Sequence, residues 1–177
     1  MQNRKNGTQT WMAENLHYKP SVNYSSFYDS ATYGRLYSWN AAMEESISYA
    51  SVTLGDSIHH QGACPDDWHV PLSSEWDTLE DFVGGSDSAQ IYLKSKTGWD
   101  STATSIKGLD TYDFSALPGG YCYSTHYNDD SISGYWKTAT KYSPKVAYAR
   151  FMYTLGTSVL TTMDDKLYRF SLRCVED

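Results

Sequence analysis

No run of apolar residues in this 177-residue chain approaches the roughly 20 that would carry a helix across a bilayer. A membrane-inserted helix is therefore not expected. Basic residues are few: 14 Lys and Arg stand against 21 Asp and Glu, a net charge of -7. They form no run or stripe, and an acidic surface repels phosphate backbones, so nucleic acid is excluded as a partner. Cysteine is scarce. Cys64, Cys122 and Cys174 include no Cys-x-x-Cys pair, which argues against a zinc ribbon or a thioredoxin-type site. An odd number of cysteines allows at most one bridge and leaves one thiol. Neither a Gly-x-Ser-x-Gly elbow nor a Gly-rich loop ending in Lys-Ser/Thr occurs. Carboxylates abound but show no local pairing that would support a glycosidase. The first residues, Met1 to Gly7, are polar and lack a signal peptide's apolar centre. Two readings follow: a cytoplasmic protein, or one whose leader has been removed.

What is present is aromatic and polar at once. Tyr numbers 16 and Trp 6 against only 5 Phe. Tyr and Trp join an apolar body to a polar tip, which suits half-wet surfaces and ligand platforms. A small, polar-flecked core is the other use of such rings. A hydrophobic share of 40% is that of a globular protein, and the length suits one domain with one principal core.

Residues 1–10 read as a frayed or incomplete first strand. Residues 19–31 read as a loop, and 46–63 as a long Ser-rich excursion. Leu36, Trp39 and Met43 are spaced for a short helix with one buried face. The best helix follows Pro71-Leu72-Ser73-Ser74, which offers a Ser cap. Glu75, Asp77 and Glu80 suit the positive end of the helix dipole, Trp76, Leu79 and Val83 form the inward stripe, and Gly84-Gly85 ends it. Another helix is expected from Ser88 to about Lys96, with Ala89, Tyr92 and Leu93 inward. From residue 97 onward, turn signals separate short Tyr-, Thr- and Val-rich runs. In Val146–Leu155, Tyr148, Arg150, Met152 and Thr154 share one face, and Ala147, Ala149, Phe151, Tyr153 and Leu155 the other. Leu167–Val175 alternates too, with Asp164-Asp165 as a hairpin tip between these two strands.

Several blocks then occur in a fixed order: Gln9-Thr10-Trp11-Met12-Ala13-Glu14-Asn15-Leu16, Tyr33-Gly34-Arg35-Leu36-Tyr37, Cys64-Pro65-Asp66-Asp67-Trp68-His69-Val70-Pro71, Phe114-Ser115-Ala116-Leu117-Pro118-Gly119-Gly120 and Ser171-Leu172-Arg173-Cys174-Val175. Together they resemble the Fibrobacter succinogenes major paralogous domain, from Gln9 to the C-terminus. That family is found in surface and secreted bacterial proteins. The resemblance implies an α+β, C-type-lectin-like fold of the branch shared with the formylglycine-generating enzyme: two short helices flanking small twisted antiparallel sheets, with long loops, as a single domain over 1–177. It favours a secreted or surface location with a removed leader. It also implies a Cys64–Cys174 disulfide and leaves Cys122 as a small buried side chain. Asp67 stands where the family usually has Gly, so a different turn is expected there. Phe27-Tyr28 replaces a Cys-Tyr pair, consistent with a dispensable loop bridge. Little of the family's first strand is present, so the C-terminal strand is expected to show an uncovered edge.

The function expected is a non-catalytic, extracytoplasmic ligand-binding module whose partner is a glycan or a cell-surface protein. A structural or assembly domain is the alternative, and an enzyme on the formylglycine-generating scaffold a further one. That enzyme's copper chemistry needs a thiol pair, which a Cys64–Cys174 bridge removes. The segment 121–142 combines rigid rings with Ser, Thr, Asn and Asp, the composition of a recognition surface. Its candidate ligand-binding residues are Tyr123, His126, Tyr127, Trp136, Thr138, Thr140 and Tyr142, with Arg150 beside them. Tyr121 and Trp136 are also the rings best suited to a core. No metal or cofactor is expected. His59, His60, Cys64 and His69 lie close in sequence, but His69 reads as a packed residue. Asp110, Asp113, Asn128, Asp129 and Asp130 could offer oxygen ligands to calcium. Turn formation explains them equally well, and the lectin triplets Glu-Pro-Asn and Gln-Pro-Asp are lacking.

Overall fold

A computed structural model describes residues 3–20, 29–45, 58–102 and 104–177. The loop positions Phe27 and Tyr28, and most of the Ser-rich excursion, lie outside the described residues. The polar N-terminus forms a hairpin. Strand β1 (Asn3–Asn6) pairs antiparallel with β2 (Gln9–Met12), Asn3 opposite Met12. Gly7 turns the chain at φ +65°, where a Cβ would also strike the Phe82 ring at 2.9 Å. The other members of this sheet are β5 (Trp68–His69) and β12 (Val175–Glu176), in the order β1-β2-β12-β5. The C-terminal strand is thus interior. It pairs with β2 through Val175 and Trp11 and with β5 through Val175 and His69, so the expected uncovered edge does not exist. The turn before β5 tolerates the departure from glycine: Asp67 takes a left-handed φ of +65°, which Asp adopts more readily than most side chains.

The expected first helix is split. Leu36 lies in β4 (Gly34–Tyr37), which pairs with β3 (Asp29–Ser30), and only Trp39–Met43 is helical, as α1. Ser38 marks the boundary, because its hydroxyl accepts from Ala41 N at 3.3 Å and caps the helix. Helix α2 spans Ser73–Phe82 and α3 Ser86–Leu93. The described residues thus hold three helices, as the residue patterns predict and one more than the family resemblance implies. The inward stripe of α2 is as read, with Trp76, Leu79 and Val83 buried. Its cap is not a serine. Leu72 holds the cap position, and its N–H donates to the Glu75 carboxylate at 2.8 Å. A hydroxyl from a distant strand, Thr140 Oγ1, accepts from Ser73 N at 2.9 Å.

The larger, mixed sheet joins β3 and β4 to six strands from the second half of the chain: β6 (Gly119–Tyr123), β7 (His126–Asp130), β8 (Ser133–Lys141), β9 (Val146–Tyr153), β10 (Leu160–Asp165) and β11 (Phe170–Ser171). Its order is β10-β9-β8-β11-β4-β3, with β6 against β8 and β7 on β6. Two expectations are corrected here. Asp164 and Asp165 are no hairpin tip; they lie in β10, opposite Ala147 and Val146, and the turn of that hairpin holds Gly156. Leu167–Val175 is not one strand. Phe170–Ser171 joins the large sheet, and Val175–Glu176 the small one. The crossing between them buries Leu172, Arg173 and Cys174. Trp11, Trp76 and Phe114 meet edge-to-face between the sheets, with ring centroids 5.0–5.8 Å apart, and Trp136 packs on Trp76 at 6.0 Å. A second cluster gathers Tyr37, Trp39 and Leu172 around the Cys64–Cys174 disulfide, which is formed as expected and leaves Cys122 free and buried.

Candidate functional site

Alternate residues of a strand share a face, and the large sheet uses this to assemble a continuous row of rings. Tyr121 and Tyr123 on β6, Tyr135 on β8, Phe151 and Tyr153 on β9, Phe170 on β11 and Tyr168 just before it all meet. Tyr123 stacks on Tyr168 with centroids 4.5 Å apart, and Tyr168 lies 5.7 Å from Tyr121. Tyr121 meets Tyr135 at 5.3 Å, edge-on. Tyr135 lies 4.6 Å from Phe151 and stacks on Phe170 at 4.9 Å. Phe151 and Tyr153 are parallel within 3° at 5.4 Å. Such pairs are each worth about 0.5–1.5 kcal/mol beyond area burial, so the row holds its own geometry. Phe170 is buried, and most of the other rings are half-buried. Tyr123, at one end, is 43% exposed. His126 is exposed directly across from Tyr123 in the β6–β7 ladder, and Leu160, across from Phe151, is 40% exposed.

Beneath the row sits a buried amine. Lys137 is on the same face of β8 as Tyr135, with Nζ 4.2 Å above the Phe170 ring. Burial pushes its pKa down to about 7, against the weaker pull of Asp164 and Asp165.

The opposite face packs on α2 and α3, and it claims half of the expected site. Trp136 is fully buried against Trp76, its indole N–H donating to Asn15 Oδ1 at 2.9 Å. Thr138 is buried and donates to the Tyr148 carbonyl at 2.7 Å, while Thr140 caps α2. Arg150 is 1% exposed. It donates to the Ser73 carbonyl at 2.7 Å, pairs with Asp77 and Thr161, and lies 3.3 Å from Glu80 Oε1. Trp136, Thr138, Thr140 and Arg150 are therefore structural, not ligand-facing. Their parity on β8 and β9 points them at the helices. Glu80 shares that buried environment. Its burial, reinforced by Asp77 and Asp81, outweighs Arg150 and raises its pKa to about 7.

Of the remaining expected residues, Tyr123 and His126 come together at the end of the ring row. Tyr127 lies on the other side of that hairpin, its hydroxyl donating to the Gly119 carbonyl at 2.8 Å. Tyr142 is 60% exposed but stands at the far end of β8, against Tyr148 at 5.7 Å. The sequence reading missed Tyr135, Phe151, Tyr153, Tyr168 and Phe170 as site residues. The signal was there in the alternation of β9, which sets Phe151 and Tyr153 opposite Arg150.

The acidic turns show local uses. The Asp110 carboxylate accepts from Ser115 N and Oγ, both at 2.7 Å, and Asp113 lies 3.8 Å from Arg4. The side chains of Asp129 and Asp130 lie outside the description. A cavity of about 730 Å3 opens elsewhere, beside the disulfide. Glu14, Glu44 and Asp66 make its wall acidic, and Tyr18 and Cys64 also line it. None of the expected ligand-binding residues lines it. No helix among the described residues is long and apolar enough to cross a membrane.

The chain belongs to the Fibrobacter succinogenes major domain family, whose sequence profile it matches over residues 5–176. No curated protein and no solved structure matches it.

Proposed function

We propose that this member of the Fibrobacter succinogenes major domain family is an extracytoplasmic, non-catalytic binding module that takes a carbohydrate against its row of rings. The row itself carries the proposal. The outer surface of the row, Tyr123 above all, offers apolar ring surface for the C–H faces of sugar rings, while its phenol hydroxyl can take sugar hydroxyls. His126 adds a polar group at the exposed end. Because the rings already pack on one another, little side-chain freedom is left to lose on binding, which favours affinity. The acidic cavity is the second candidate, but of its lining side chains only Tyr18 and His17 carry aromatic rings.

We read the fold as C-type-lectin-like. The pairing of β2 with β12 near the chain's two ends, and helices set against small sheets, support that reading. The disulfide supports an oxidising compartment. It also occupies two of the three cysteines, and the third is fully buried, which speaks against thiol-based copper chemistry.

Retention on insoluble plant polysaccharides, with and without EDTA, tests the function. The wild type is expected to be retained. Tyr123→Ala and Tyr168→Ala are each expected to weaken retention about three- to tenfold, the equivalent of roughly one ring contact. Unchanged retention in the double variant would remove the ring row as the site. Failure to bind any polysaccharide would refute the carbohydrate reading and leave a protein partner or an assembly role.

A further inference from the structure

Away from the ring row, the described residues hold a compact group of imidazole and carboxylate donors: His59, His69 and Glu75, with Asp177 beside them. His69 is 1% exposed on its side chain and sits between two acids. Its Nδ1 lies 2.6 Å from Asp177 Oδ1, and its Nε2 lies 2.8 and 3.0 Å from the two Glu75 oxygens. His59 stacks on His69 with centroids 3.8 Å apart and planes within 10°. It repeats the arrangement more loosely, with Nε2 3.8 Å from Glu75 and Nδ1 3.7 Å from Asp177. One donor atom from each of His59, His69 and Glu75 falls within 4.8 Å of the others. Glu75 is fixed in place because it also accepts from Leu72 N at the start of α2.

We propose that His59, His69 and Glu75 form a binding site for a zinc-class divalent cation. Two imidazoles and a carboxylate are donors of the type this ion prefers. Asp177 completes the pattern from outside: by accepting from His69 Nδ1 it leaves Nε2, on the Glu75 side, as the ligand atom. Cys64 does not compete as a ligand, since its sulfur is in the disulfide.

Binding requires a defined rearrangement. Bonds of about 2.0–2.1 Å in a tetrahedral shell set ligand atoms roughly 3.3 Å apart, so the 2.8 Å His69–Glu75 contact opens slightly. An imidazole binds metal in its own plane, so His59 has to rotate off the stack. It is free to do so, being 50% exposed on a coil segment, whereas His69 is held by its neighbours. The local field favours a cation. Glu75 and Asp177 set carboxylate oxygens against both ring nitrogens of His69, at 2.8 and 2.6 Å. A bound ion would tie the segment before Cys64 to α2 and β5.

Zinc titration of chelator-treated protein, against a competing chelator, tests this. Co2+ provides a second readout through the visible absorption of a tetrahedral site. One equivalent is expected to bind and to raise the melting temperature. Asp177→Asn should weaken binding about 10–100-fold, as removal of an outer partner does, and His59→Ala should weaken it by more. His59 is exposed, so this variant keeps its fold. His60→Ala, whose imidazole lies 3.2 Å from Glu45 instead, should bind as the wild type does. Absence of stoichiometric binding in the wild type, or full affinity in His59→Ala, overturns the site.

Discussion

Breaking the Cys64–Cys174 bridge is expected to be the most destabilising change that leaves every packed ring in place. The bridge joins residues 110 apart in sequence. In the chain-entropy model a closed loop of that length lowers the unfolded state's entropy by about 16 cal/mol/K, or about 4.8 kcal/mol at 25 °C. A domain of ordinary stability has only about 5–15 kcal/mol in total, so the reduced protein should lie near the edge of folding. Two perturbations separate the cross-link from the packing of its sulfurs, which are both buried. Reduction keeps the atoms and frees the loop. The Cys64→Ala/Cys174→Ala double variant frees the loop and also empties the sulfur volume, for about 1 kcal/mol more. Urea unfolding is the assay. With a slope of about 2.5 kcal/mol/M, the midpoint should fall by about 2 M on reduction, and somewhat further in the double variant. The slope should also rise, since an uncrosslinked unfolded chain exposes more surface. A midpoint shift below about 0.5 M would refute the argument, because the native contacts around the bridge would then outweigh the freedom it removes from the unfolded chain. Three titratable thiols in the denatured, unreduced protein would refute the bridge itself.

Two pH-dependent outcomes follow from buried charges. Lys137 has a folded pKa of about 7, depressed from 10.5. The unfolded chain therefore binds more protons between those values, and stability climbs as pH rises through that window. Lys137→Met should remove the slope and stabilise the protein at pH 7 by roughly 1–4 kcal/mol, read from urea midpoints; a destabilised variant would mean the amine is satisfied where it lies. Glu80 is the reverse case: its folded pKa of about 7 stands above 4.5, so its contribution is present in acid and lost as pH rises through 7. Glu80→Gln should flatten the fall in stability between about pH 4.5 and 7, and an unaltered profile would show that Glu80 is not its source.

Local rules made the helices legible. Trp76, Leu79 and Val83 declared a stripe, and Gly84-Gly85 its end. The cap was not legible, because Thr140 reaches Ser73 from 67 residues away. Ser38 shows the same limit at short range: it starts α1 and so leaves Leu36 to a strand, although Leu36, Trp39 and Met43 are all buried as their spacing demanded. In the sheet, alternation on β9 was read correctly, yet alternation does not say which face the helices cover. The candidate site accordingly mixed Tyr123 and His126 from one face with Trp136, Thr138, Thr140 and Arg150 from the other. A single step in parity separates Tyr135 from Trp136. Strand β10 escaped because Leu160–Asp165 ends in two aspartates that also suit a turn. The His69 cluster needed the fold, since Asp177 meets His69 only through the pairing of β12 with β5.

Buried cations link the loop-rich fold to the ring row. Long connections leave carbonyls without sheet or helix partners, and each must be satisfied when it is buried. In this acidic chain, cationic side chains do much of that. Arg173 donates to the loop carbonyls of Phe114 and Ser115, Lys94 to that of Ile106 and Lys166 to that of Pro144; Lys94 also reaches the carbonyls of Tyr153 in β9 and of Thr154, which have backbone donors besides, and Arg150 that of Ser73 in α2. Solvation by neutral carbonyls returns less than a carboxylate would, and burial accordingly lowers the pKa of Lys94 and of Lys166 to about 8. The placement of Lys94 bears on function. Together with Gln90, which accepts from Tyr153 N at 3.1 Å and donates to its carbonyl at 2.6 Å, it clamps the backbone under the last ring of the row. The Tyr153 end is thus held from behind by α3 and by Lys94 just beyond it, while at the other end Cys122 is bridged to the Arg169 backbone and Tyr123 itself reaches solvent. A ligand laid along the rings would meet a half-buried end at Tyr153 and an exposed one at Tyr123. Tyr123 and Tyr168 are accordingly the rings whose removal should change binding without disturbing the fold.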